Sequence, residues 1–176
     1  RVALDVRPDE HTLREALATV LLRAELPSEA MEELLFLVEQ MPDGERLRGV
    51  LGDARLMGSD SAGAMKEYSR MTIAEPDSAR VLYNLSRLYE ETGSKVEAIE
   101  GYQRLRDHAE WRVEAGWRAA VLMSDLGEIE AAEDLLELVL AEEPVNREAL
   151  MGLGRLHAVA GRYSDALIHF EKLMLL

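Results

Sequence analysis

Alanine returns every 34 residues at Ala30, Ala64, Ala98, Ala132 and Ala166, and no other feature of this 176-residue chain restricts its fold as strongly. A fixed period of this length is the signature of a repeat architecture in which each unit is one supersecondary element stacked on its neighbours. The register divides the chain into units 11–44, 45–78, 79–112, 113–146 and 147–176. In the eighth place of successive units stand Ala18, Gly52, Ser86, Ala120 and Gly154, all small; in the twenty-fourth stand Leu34, Tyr68, Tyr102, Leu136 and Phe170, all large. Two helices crossing at close range need this pairing, because a small side chain lets the backbones approach and a large one fills the space beside it.

Within each unit two apolar patterns at helical spacing flank a break at the fifteenth place, which is Gly93, Gly127 and Gly161 in the last three units. The spacing predicts first helices over about 11–24, 45–57, 79–92, 113–126 and 147–160, and second helices over about 27–40, 62–74, 95–108, 129–142 and 163–175. Pro27 suits a first helical turn, Ser94 with Glu97 reads as a capping box, and Asn146 as an N-cap. Pro42, Pro76 and Pro144 close three units, and Pro8 falls in the same place of an incomplete unit. Each stops the helix before it.

The period, the small eighth residue, the alanine column and the closing proline resemble the tetratricopeptide repeat family, most fully at Leu150, Leu153, Gly154, Gly161, Tyr163, Ala166, Phe170 and Leu173. The resemblance implies an all-α, right-handed superhelix of five helix hairpins, one continuous array over residues 11–176, with residues 1–10 the end of a preceding partial repeat. It also implies a non-catalytic scaffold that holds a peptide segment or partner protein in a concave groove. The alternative is a targeting or assembly region of a larger protein, enzyme-linked or within a bacterial secretion or envelope complex. The chain departs from the pattern at Arg55, where a large apolar residue is usual, at the polar Gly58-Ser59-Asp60-Ser61 turn, and at Glu110-Trp111, where a closing proline is missing.

In this family the groove is lined by set places of the first helices, which here are Arg46, Asp53, Met57, Arg80, Tyr83, Arg87, Trp117, Met151 and Arg155, with Asn84 and Arg118 beside them. The expected partner-binding residues are Arg80, Tyr83, Asn84, Arg87, Trp117, Arg118, Met151 and Arg155. Arginine forks and aromatic faces are the groups that anchor a peptide carboxylate or an acidic segment. The plainer reading is that the arginines solvate an exposed face and Trp117 packs on the next hairpin. A clamp of the kind that binds chaperone tails is not matched: Tyr83 and Trp117 stand where its lysine would lie and Arg87 where its asparagine would.

The formal charge of −14 contrasts with that basic groove and argues against nucleic acid as a partner, which needs a basic stripe. Unit 113–146 alone carries −8, mostly on its second helix at Glu128, Glu130, Glu133, Asp134 and Glu137, a solvated face or a dock for a basic partner. No apolar run is long enough to insert directly in a membrane. Without cysteine there is no thiolate metal site, and His11, His108, His157 and His169 lack ligand spacing, so no metal, cofactor or catalytic residue is expected. The compartment stays open. Leu173, Met174, Leu175 and Leu176 on a last helix without a following hairpin predict exposed apolar surface and self-association, or a longer parent array.

Overall fold

The computed structural model describes residues 11–41 and 44–176; the segment 1–10 with Pro8, and Pro42, lie outside the described residues. Ten α-helices and one 3₁₀ turn form five hairpins, with no strand among the described residues. They are α1 (His11–Arg23), α2 (Pro27–Gln40), α3 (Glu45–Met57), α4 (Ser61–Ala74), α5 (Ala79–Glu91), α6 (Lys95–Arg104), α7 (Arg112–Asp125), α8 (Ile129–Glu142), α9 (Arg147–Val159) and α10 (Tyr163–Met174). The chain separates into two compact units, one up to Val81 and one from Leu82, the division falling within α5.

In the first unit α1 packs on α2, α2 on α3 and α3 on α4, around Ala18, Ala30, Leu34, Leu37, Leu51 and Ala54. Two half-buried ion pairs repeat at one hairpin's spacing: Arg14 meets Glu33, and Arg48 meets Glu67 at 3.4 Å, with Arg14 also stacked 4.2 Å from the Phe36 ring centroid. The polar departure in this unit is satisfied in part from within, Arg55 Nε staying buried without a partner. Arg55 donates to Asp60 at 2.6 Å, and Asp60 caps α4 by accepting from the Gly63 amide at 2.9 Å. That amide, ahead of Arg55, holds the Asp60 carboxyl below its ordinary range.

In the second unit α6 packs on α7, α7 on α8, α8 on α9 and α9 on α10. The hairpin without a closing proline ends early: α6 stops at Arg104, a 3₁₀ turn runs Leu105–Asp107, and His108 is extended. Trp111 then lies against Tyr83, ring centroids 4.3 Å apart.

All five column alanines are buried, four of them with no exposure. The small-against-large pairing is equally literal, since a Cβ on Gly52 would lie 2.6 Å from the Tyr68 ring and one on Gly154 2.5 Å from the Phe170 ring. One capping expectation is corrected. Ser94 is the N-cap of α6 without a side-chain bond, whereas Asn146 accepts from the Ala149 amide at 2.9 Å. Ser94 and Asp60 share a ψ of 68°; the longer carboxylate still reaches the helix amides from there and the short hydroxyl does not.

The fifteenth place is left-handed in every hairpin, at Gly93, Gly127 and Gly161 and also at Glu25 (φ 57°) and Ser59 (φ 61°). A side chain in this region is strained by roughly 1–2 kcal/mol, partly offset by the chain entropy that glycine would lose. Glu25→Gly and Ser59→Gly are therefore each expected to stabilise by about 0.5–1 kcal/mol, read as a higher melting temperature; a lower one in both would show that the side chains make compensating contacts.

Candidate partner-binding groove

The second unit carries a cavity of about 470 Å³ between the first helices of its last two hairpins. Trp117, Val121 and Ser124 come from α7, and Arg147, Met151 and Arg155 from α9; Leu136 of α8 and Leu173 of α10 add apolar wall. The positions follow from helix geometry. Trp117 and Val121 are four apart, as are Arg147, Met151 and Arg155, so each set shares one face. At the floor of the cavity α9 approaches α8 closely at Gly152, where a Cβ would lie 2.8 Å from the Leu136 side chain.

The electrostatics of the rim are uneven. Asp125 is committed to Lys95 at 2.8 Å, while Arg147 and Arg155 are exposed and have no ion pair among the described residues; Glu148 is likewise unpaired there. Arg147 also stands at the first position of α9, where the helix dipole disfavours a cation and favours an anion.

Of the residues expected in a groove, the cavity brings together Trp117, Met151 and Arg155. Tyr83 is buried at 7% exposure and donates its hydroxyl to Glu114, with burial first and that bond second pushing the phenol upward. Arg118 donates to Glu114 at 3.1 Å and Glu90 at 3.3 Å, and its guanidinium lies 4.7 Å from the Trp117 ring centroid. Neither side chain lines the cavity, and both are tied to Glu114. Arg87 is exposed and paired with Glu91 at 3.1 Å, and Asn84 is half-buried. Arg80 belongs to the first unit, where Asp53 accepts from both Arg80 and, at 2.6 Å, Tyr68; Arg46 there pairs with Glu15 and Met57 is exposed. Val121, Arg147, Leu136 and Leu173 line the cavity without having been expected in the groove, Leu136 and Leu173 reading from sequence as packing residues. The four-residue spacing from Trp117 and Met151 was the signal available for the first two.

The architecture defines a class, the α-helical hairpin repeat protein whose units stack through small-against-large contacts. The tetratricopeptide repeat model matches residues 50–111 and 119–173, and the chain belongs to that family. A crystal structure of MamA protein superposes with a TM-score of 0.85 at 16% identity, over 93% of this chain and 90% of that one. MamA from Desulfovibrio magneticus RS-1, from its residue 41 onward, gives 0.84 at 16% identity over 96% and 95%. At that identity the likeness is one of fold. Cellulose synthase operon protein C of Xanthomonas axonopodis pv. citri is 35% identical over 71 residues, 40% of this chain but 5% of that protein's length.

Proposed function

We propose that the chain is a non-catalytic scaffold whose cavity on α7 and α9 holds a partner's peptide segment carrying an apolar anchor beside an acidic group. Tetratricopeptide arrays are protein-interaction scaffolds, and the observation that carries the finer reading is the pairing of an apolar wall with two arginines that have no ion pair among the described residues. Trp117, Met151, Leu136 and Leu173 would bury the anchor, and Arg147 and Arg155 would take the carboxylate. Labelled peptides holding one Leu or Phe among Asp and Glu residues, titrated against wild type and Arg147→Glu/Arg155→Glu, should lose at least about tenfold in affinity in the variant. Trp117→Ala should weaken the same peptides at high salt, where the charge contribution is screened. Equal affinities across all three proteins would remove the cavity from the binding site.

A second reading is favoured by the likeness to part of cellulose synthase operon protein C: the array would be a region of a longer protein that positions neighbouring subunits or substrates.

A further inference from the structure

The last hairpin holds a cluster of titratable groups that partner binding does not use. His157 of α9 is 6% exposed and meets His169 of α10 edge-to-face, ring centroids 5.1 Å apart. Glu133 of α8 lies 2.9 Å from His157 Nε2 and also accepts from Arg162 at 2.7 Å. The Arg162 fork, and after it His157, hold the Glu133 carboxyl at about 2 against the opposing effect of burial. Glu133 is therefore an acceptor, and His157 donates to it from Nε2. The Nδ1 atoms of both histidines are buried with no hydrogen-bond partner.

We infer that the His157–His169 contact is an acid-released latch that keeps α10 closed on α9 at neutral pH and loosens it in mild acid. His157 Nε2 is already committed to Glu133 at 2.9 Å. A proton taken up by His169 finds no acceptor at its buried Nδ1 and is disfavoured by His157 and by Lys172 on its own helix. Asp165 of α10 and Glu137 of α8 oppose this only in part, since burial first, then His157 and Lys172, leave His169 below its ordinary value. Moving α10 away solvates both rings and relieves the conflict.

The lowered histidine means the opened form takes up the proton first, so closure is at full strength above about 6.5 and is lost as pH falls from there toward the folded value. The depressed Glu133 acts in a separate window, stabilising above 4.5 and losing its contribution between 4.5 and about 2. Release between pH 6.5 and 4.5 therefore belongs to His169.

Met151, Arg155 and Leu156 of α9 and Leu173 of α10 also line the cavity, so opening the hairpin would dismantle it; that consequence rests on the binding reading above. Amide exchange, expressed as protection factors to remove the intrinsic pH dependence, tests the latch without any ligand. In wild type, Ala166–Leu173 should lose protection severalfold between pH 7.5 and 5.0 while α7 keeps its own, and His169→Phe or, should that variant fold poorly, His169→Gln should abolish the change. Unchanged protection of α10 in wild type, or the same loss in the folded variant, would overturn the latch. Failure of peptides to bind at pH 7.5 would count against the binding reading and leave the exchange result to decide the latch.

Discussion

Replacing Tyr102 by alanine is expected to cost about 3–5 kcal/mol, the range for removing a fully buried aromatic side chain. Tyr102 has no exposure, its ring centroid lies 6.3 Å from that of Tyr83, and Tyr83 in turn stacks on Trp111. Its hydroxyl donates to Glu90 at 2.6 Å, and Glu90 also accepts from Arg118 at 3.3 Å. Truncation thus opens a cavity and also leaves Glu90 one donor short. Tyr102→Phe separates the two effects, because it keeps the ring and removes only the hydroxyl, for about 0.5–1.5 kcal/mol. Urea unfolding of both variants gives the comparison. If Tyr102→Ala cost no more than Tyr102→Phe, the aromatic cluster would not hold the third hairpin together.

That cluster marks where reading by repeat place stops being sufficient. The alanine column and the small eighth place were legible because they are backbone-proximity requirements shared by every hairpin, independent of what lies outside it. Tyr83 occupies a groove place by register, yet its burial depends on Trp111, a residue at which this chain departs from the family pattern. Arg118 likewise reads as an exposed cation until Glu90 and Glu114 converge on it. The half-buried pairs Arg14–Glu33 and Arg48–Glu67 are hidden in the repeat register for the same reason, being charges at places where later hairpins hold leucine, glycine or histidine.

The turn column shows a second limit. Glycine at the fifteenth place announces a left-handed residue, but Glu25 and Ser59 adopt that conformation without announcing it. The hairpin connection imposes the backbone angle whatever side chain is present. In the candidate site, Trp117, Met151 and Arg155 could be picked out because they lie on successive first helices. Leu136 and Leu173 reach the cavity from second helices and follow only from the three-dimensional packing.

The alanine column supplies the other large expected effect. Ala132→Leu and Ala98→Leu are expected to destabilise by about 1–3 kcal/mol each, since both positions have no exposure and an added isobutyl group must push paired helices apart or leave its rotamer. Ala131, one residue away and exposed on the same helix, is the internal control: Ala131→Leu should change stability by no more than about 0.5 kcal/mol. The comparison isolates the crossing from helix propensity, because leucine and alanine are both strong helix formers. Thermal melts of the three variants decide it. Equal melting temperatures for Ala131→Leu and Ala132→Leu would mean that the hairpins tolerate a wider helix separation, and that the 34-residue column is set by something other than helix approach.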